Sequence, residues 1–527
     1  MSGDLPGERY GVEGAALTRR GLLVGIGAVG GAGAMYAAMG ALGLAPSGQD
    51  KAFAAPRPGD FSLSGRAAAK VVILGAGVAG LTVAYELGKA GYDCTLLEAR
   101  GRAGGRNLTL RGGDRLTEMG GGSQEARFGE GVYFNAGPGR IAQWMVTLDY
   151  CRELGVPIET FVNSNAQAYV HTNGGTMRAR TAKADMYGYI AELLAKATNA
   201  GALDRRMTKD DQERLLDFLR RFGDLGPKLD YEGSPRRGYL TYPALDGGTP
   251  VTGPGTLHDV LAAGTGRAIL NDFGYDQATP MFQPVGGMDA IVARLTEAVG
   301  ADRIRTGARV TKITNLADGV EVTWDGGSLK ADYCVATLPP HLLARVPHNL
   351  GAQVTAALRT PVPVAAGKIG MEYGRRWWEL EDRVYGGITE TDLDIAHIWY
   401  PSYGYHAERG LIVGYYNTER DAELYGALTP EDRRRRALTQ GRKIHGDKYG
   451  KDLLSSVSIA WERQEHIQGG WVRWPAFDSS FTLLQRPSGR VYFAGDWLTH
   501  LIAWQAGAME SARAAVTQLH QRVLRAQ

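Results

Sequence analysis

The tightest constraint in this chain is a turn. Residues 71–74 form a short β-branched run, and Gly75, Gly77 and Gly80 follow it as Gly-x-Gly-x-x-Gly. Apolar side chains then recur at helical spacing over 79–90, Gly91 stops the helix, and 94–97 reads as a second strand with Glu98 at its tip. Strand, glycine turn, helix and strand in this order make one βαβ unit of a parallel sheet. The glycines allow a tight turn and a close approach of backbone to a pyrophosphate, whose charge the free N–H groups at the helix start can hold. Glu98 is placed to accept hydrogen bonds from ribose hydroxyls. The pattern predicts a bound dinucleotide and leaves open which one.

At 527 residues the chain exceeds one simple core, so two or three domains are expected. A net charge of +3 gives no reason to expect nucleic acid or an acidic partner. The run Arg433-Arg434-Arg435-Arg436 follows Glu431 and Asp432 and reads as a solvated helix face. Cys94, Cys151 and Cys334 are scattered, with neither a disulfide framework nor metal-ligand spacing, so no metal is expected.

The first 55 residues read as a targeting segment rather than fold. Thr18-Arg19-Arg20-Gly21-Leu22-Leu23 is a twin-arginine motif ahead of a Gly/Ala-rich apolar segment at 21–45, and Lys51 precedes Ala52-Phe53-Ala54, an A-x-A-like cleavage site. The stretch is long enough to span a bilayer, but its glycines make it a poor permanent helix. The expectation is a cleaved Tat-type export signal, an exported protein and no stable membrane association afterwards. Residues 56–69 read as a linker.

After Glu98 comes a second glycine turn, Arg100-Gly101-Arg102-Ala103-Gly104-Gly105-Arg106. It resembles the double-glycine motif that the flavin amine oxidase superfamily carries just after its dinucleotide unit. Glu118-Met119-Gly120-Gly121-Gly122 is similar to that superfamily's next flavin-contacting turn. Near the other end, 490–494 reads as a strand ending in Gly495-Asp496, and Ala503-Trp504 opens a helix. A carboxylate at a strand tip suits a ribityl hydroxyl, and the helix start suits negative charge on a reduced isoalloxazine. Two glycine-acid signals almost 400 residues apart point to FAD. The resemblance implies FAD contacts at Gly75, Gly77, Gly80, Glu98, Arg100, Gly104, Gly105, Arg106, Gly495, Asp496, Ala503 and Trp504, with the Val310 backbone holding the adenine.

The substrate end resembles the L-amino acid oxidases of the same superfamily. Gly137-Pro138-Gly139-Arg140 looks like their Gly-Pro-x-Arg segment, which implies that Arg140 pairs with the substrate α-carboxylate; a planar guanidinium matches a carboxylate at two points. A simple amine has no use for such a cation. Ala396-His397-Ile398-Trp399-Tyr400-Pro401 is similar to the strand presenting an aromatic hydroxyl, with Tyr400 chosen and Trp399, on the opposite strand face, as the rival. Lys368, followed by Trp377-Trp378-Glu379 at the family's spacing, resembles the lysine that holds a water near flavin N5. Trp504 is in register with the aromatic wall of the substrate pocket, and Trp474 is a second candidate wall. No base is assigned; His258, His397 and His500 are the candidates.

The expected fold is α/β: a Rossmann-like FAD-binding domain from 70–122, 279–362 and 480–527, a mixed-sheet substrate domain from 123–180 and 363–479, and a helical insertion at 181–278. The expected reaction is FAD-dependent oxidative deamination of an L-amino acid by O2, giving a 2-oxo acid, ammonia and hydrogen peroxide. Tyr133, Trp399, Trp474 and Trp504 lean towards large apolar or aromatic substrates. The alternatives are an amide-forming amino acid 2-monooxygenase, a mono- or polyamine oxidase, and a non-catalytic flavoprotein. A homodimer is possible; no residue pattern fixes an interface.

Overall fold

Lys70–Leu74 pairs in parallel with Asp93–Leu97 on one side and with Tyr333–Ala336 on the other. Ile304–Arg305 and Val491–Phe493 add the outer strands of an all-parallel five-stranded sheet. The structure, a computed structural model, describes residues 61–270 and 273–526; the predicted export signal lies outside the described residues. Along the first strand Val71 and Ile73 enter one apolar cluster and Val72 and Leu74 another, so both sheet faces are covered. Helix Val78–Lys89 and the C-terminal helix Gln505–Ala526 pack together on the Val71–Ile73 side.

The sequence suggests one strand over 304–313, but the chain forms two. Gly307 adopts φ +69° and ends the strand Ile304–Arg305, and the next strand, Val310–Asn315, joins an antiparallel sheet with Val320–Trp324 and Gly327–Ala331. The Gly307 N–H donates to the Arg100 carbonyl and Ala308 N–H to that of Glu98, which fastens this turn beside the strand tip.

A second sheet has seven strands in the order Leu453–Ala460, Ala366–Tyr373, Gly410–Thr418, His397–Trp399, Ile388–Thr391, Tyr169–Thr172 and Gly175–Arg178. Its pairing is antiparallel except between Ile388–Thr391 and Tyr169–Thr172. Every residue of Ala366–Tyr373 is buried, including Lys368. Trp377, Trp378, Tyr373 and Tyr449 form an aromatic cluster against this sheet.

The arginine run is not wholly a solvated face. On helix Pro430–His445, Arg433 is 1% exposed and donates from Nη1 and Nη2 to the two oxygens of Glu118, each at 2.7 Å. Glu118 is thereby drawn into an ion pair in the protein interior, and the 118–122 turn does not line the large cavity described below. Truncating one partner leaves the other charge buried alone, so Arg433→Met lowers unfolding stability by about 3–5 kcal/mol. Urea unfolding followed by tryptophan fluorescence measures this; a loss below about 1 kcal/mol, the level of a surface pair, contradicts it.

Helices Ala179–Asn199 and Lys209–Gly223 pack as a pair, the second started by a Thr208–Asp211 capping box. A buried Arg237–Asp185 ion pair ties the following loops to the first of them. The stretch 61–69 behaves differently from a free linker: Phe61 and Leu63 pack on the parallel-sheet core, and Ala67 is buried with its N–H donating to Ala90 O. Among the described residues no helix is long and apolar enough to cross a membrane, and no group of ligating side chains could hold a metal ion.

Candidate active site

The first parallel strand ends at Gly75, whose φ of +95° excludes most side chains; an added Cβ would lie 3.1 Å from Thr337 Oγ1. Gly80 sits deeper, where a Cβ would fall 2.0 Å from the Gly75 carbonyl oxygen, so it permits helix–strand contact and does not itself reach the cavity. Helix Val78–Lys89 begins at Gly77 without a side-chain cap, which leaves its first N–H groups for a ligand. Glu98 is held in place from below: Oε2 accepts from Ala76 N–H at 2.9 Å and Oε1 from Arg100 N–H at 3.0 Å.

The second glycine turn folds back on the first. Gly104 N–H donates to Ala76 O, and Gly105 lies so close that its Cβ would sit 3.2 Å from Gly77 Cα. Arg106 then reaches across to form an ion pair with Asp496 and donates to Gly470 O at 2.7 Å. Asp496 also accepts from Ala503 N–H at 3.0 Å, with Ala503 at φ +69°, a rare conformation for alanine that turns the chain into the last helix. Both strand-tip carboxylates, Glu98 and Asp496, and both helix starts thus border one cavity of about 400 Å³.

Five buried polar atoms of residues on its wall have no partner: both side-chain atoms of Asn107, Trp399 Nε1, Trp497 Nε1 and Gln505 Nε2. Such atoms cost free energy unless a ligand meets them. Together with the glycine cradle and the free helix N–H groups they fit a long, polar, phosphate-bearing cofactor. Arg100, Gly104 and Gly105 line the cavity as well, but Val310, at the start of the separate antiparallel sheet, does not.

At the far end of the cavity stand two cations. Arg140 donates to Asn163 Oδ1 at 2.6 Å, and its guanidinium carbon lies 4.8 Å from the Trp399 ring centre. No carboxylate among the described residues stands within ion-pair distance of it; burial pushes its pKa down, and Tyr416, Glu390 and Asp276 only partly offset that. Lys368 donates to the carbonyls of Gly137 and Asn135 and lies 4.6 Å from the Tyr416 ring. Burial, and then the Arg140 charge, lower its pKa to about 7. Trp504 walls the same space and donates to Asp276 at 3.0 Å.

Tyr400 is elsewhere. Its hydroxyl shares hydrogen bonds of 2.8 Å with Thr389 Oγ1 and His445 Nε2 on the aromatic side of the sheet, so it cannot meet a ligand beside Arg140. The strand's alternation turns Trp399 to the cavity instead. A different tyrosine faces the cavity: Tyr416, one strand over and in register with Lys368, lies near Arg140, and burial keeps its proton on. Trp474 is likewise displaced: its ring packs on Phe481, its Nε1 donates to Trp497 O, and Trp471 lines the cavity three residues earlier. His258, His397 and His500 do not line it. His397 is paired with Glu390 at 2.9 Å, which raises its pKa against the effect of burial, and His500 packs on Phe477. Asn163, Asp276, Trp461 and His466 are site neighbours that the sequence reading did not single out.

The family described as flavin containing amine oxidoreductase matches residues 78–520. The chain belongs to this family. Its cofactor is therefore FAD, and the two glycine turns, Glu98, Arg106 and Asp496 are the residues that would hold it. The chain is 27% identical over 474 residues to an L-amino-acid oxidase of Siganus canaliculatus, with 86% of each chain covered. To an L-amino-acid oxidase of Pseudechis australis it is 24% identical over 472 residues, again covering 86% of each. Among solved structures it is similar to cyclohexylamine oxidase from Brevibacterium oxydans IH-35A, with a TM-score of 0.59 at 18% identity, covering 87% of this chain and 99% of that one. That likeness speaks for the flavin amine oxidoreductase fold.

Proposed function

We propose that this flavin amine oxidoreductase oxidatively deaminates an L-amino acid, with O2 as oxidant, to a 2-oxo acid, ammonia and hydrogen peroxide. The observation that carries the reading is Arg140: a guanidinium desolvated in the cavity with no carboxylate at ion-pair distance among the described residues. A buried cation of this kind is costly until an anion meets it, and a substrate α-carboxylate is that anion. Tyr416 supplies a hydroxyl on the same side. Trp399 and Trp504 confine the rest of the molecule between flat apolar faces, which favours large apolar or aromatic side chains.

The flavin, when bound, supplies hydride acceptance from Cα and then passes the two electrons to O2. The protein's part is positioning. Arg140 and Tyr416 fix the carboxylate, so that one face of Cα is presented and the enantiomer is selected. The amine reacts in its neutral form, because a protonated nitrogen has no lone pair to give as hydride leaves. Lys368, with a pKa near 7, holds or releases a proton at Nζ near neutral pH. The released imino acid hydrolyses in water.

A peroxide-coupled screen of the twenty L-amino acids, their D-enantiomers and matching decarboxylated amines tests the reading. Peroxide and 2-oxo acid from large apolar L-amino acids are expected. Amide and carbon dioxide would instead identify a 2-monooxygenase, and equal turnover of the carboxyl-free amines would overturn the assignment to amino acids.

A further inference from the structure

Arg140 and Trp504 come from distant parts of the chain, yet an unbroken row of hydrogen bonds joins their side chains. Arg140 Nη1 donates to Asn163 Oδ1 at 2.6 Å. Asn163 Nδ2 donates to Gln277 Oε1 at 3.1 Å, and Gln277 Nε2 to Asp276 Oδ1 at 3.3 Å. Trp504 Nε1 closes the row by donating to Asp276 Oδ2 at 3.0 Å. Chemistry fixes the direction of every link. A guanidinium and an indole N–H only donate and an ionised carboxylate only accepts, so each amide between them has a single orientation. Links aligned in this way polarise and strengthen one another.

The middle of the row is fastened to the stretch that carries Arg140. Trp144 Nε1 donates to Tyr275 O at 3.2 Å, Gln143 Nε2 to Pro280 O at 3.0 Å and Asn163 N–H to Thr279 O at 2.9 Å. Asn163 directly follows Val162, which pairs with Pro280 across two antiparallel strands. On the Trp504 side the tie is one bond, since the single N–H of the indole goes to Asp276.

We propose that Asn163, Gln277 and Asp276 are positioning residues that hold the Trp504 ring in a fixed relation to the Arg140 guanidinium, so that the anchor for the α-carboxylate and the wall for the side chain act as one clamp. The inference rests on the amino acid reading above and deepens it. Arg140 alone fixes one end of the substrate and leaves Cα free to swing. A wall tied to that anchor removes the freedom, and misplacement by about 1 Å at the reacting atoms is costly in rate. The substrates that gain are L-amino acids with a side chain large enough to press on Trp504 while the carboxylate is on Arg140. A side chain as short as that of alanine makes less contact with the wall and gains less.

Gln277 is the position to alter, because its side chain is bonded to neither Arg140 nor Trp504. Gln277→Leu keeps the bulk and removes the central link. In anaerobic stopped flow of the holoenzyme with L-phenylalanine, the limiting rate of flavin reduction is expected to fall roughly tenfold, with the half-saturating concentration within about threefold because Arg140 remains. The limiting rate with L-alanine is expected to change by less than about twofold. Trp504→Phe keeps a ring but removes the N–H, so it cuts the same row at its end. Adding Gln277→Leu to Trp504→Phe is therefore expected to slow L-phenylalanine by less than about twofold further. Asp276→Ala, which cuts the row one link along, is expected to behave as Gln277→Leu does in the same cycle. Losses that multiply in the double variants, or a Gln277→Leu limiting rate within about twofold of the unaltered protein, overturn the proposal. A crystal structure of the Gln277→Leu holoenzyme reads the clamp without turnover: a Trp504 ring turned away or in several conformers is expected, and an unmoved ring overturns the proposal. Failure of the amino acid reading is a separate result, in which no L-amino acid reduces the flavin of the unaltered protein whatever the Trp504 ring does in the variant.

Discussion

Replacing Arg140 with methionine raises the concentration of L-amino acid needed for half-maximal anaerobic flavin reduction by roughly a hundredfold, the equivalent of about 3 kcal/mol for losing one partner of a desolvated charge pair. The effect should depend on the carboxylate. Decarboxylated amines, which Arg140 repels, bind the variant no worse than the original and gain from the loss of a cation. Tyr416→Phe removes one hydrogen bond to a charged group and costs about tenfold on the same axis, with the limiting rate nearly unchanged. Stopped-flow traces of the flavin absorbance separate affinity from rate. An Arg140→Met protein with unaltered affinity for the amino acid ends the carboxylate assignment.

Lys368→Met has a comparably large effect on the other half of the cycle. Lys368 is buried among the carbonyls of Gly137 and Asn135 and the rings of Trp399 and Tyr416. A positioned acid or base contributes about 10²–10⁴-fold, so the variant's reaction with O2 is expected to slow by roughly a hundredfold or more. Flavin reduction by substrate should change far less. A variant that reoxidises as fast as the original removes Lys368 from the mechanism.

The same residue leaves a mark on stability. Its folded pKa is about 7, against an ordinary lysine value of 10.5. Between these pH values the unfolded chain binds a proton that the folded chain does not, so stability rises with pH across that window, by up to about 1.4 kcal/mol per unit from this one group. Below the window both states are protonated and the contribution is flat. Lys368→Met should remove that part of the slope between pH 7 and 10.5 in denaturant titrations; an unchanged slope places the lysine's pKa elsewhere.

What the sequence disclosed and what it concealed divide along a physical line. The two glycine turns and their acids were readable because each depends on backbone geometry within a few residues: Gly75 at positive φ, Gly105 against Gly77, Ala503 turning beside Asp496. Arg140 was readable for the same reason, since its loop is fixed by Gly137, Pro138 and Gly139. Side chains delivered by strands were not. In Gly410–Thr418 two adjacent tyrosines point to opposite faces, Tyr415 to the aromatic core and Tyr416 to the cavity, and only pairing with Lys368 decides which is which. Tyr400 and Trp399 pose the same problem on the neighbouring strand, and Trp474 and Trp471 on the strand Trp471–Arg473 and its extension. The Arg433–Glu118 pair joins positions 315 apart, and no local pattern announces it.

The ion pair between Arg106 and Asp496 and the docking of Val491–Phe493 as the sheet's outer strand have a consequence for biosynthesis. While the nascent chain is still on the ribosome, the first glycine turn and Glu98 can fold, but half of the cofactor cradle has yet to be made. Flavin loading therefore waits for synthesis to pass Asp496, and a premature stop before Val491 yields an apoprotein however well the rest has folded.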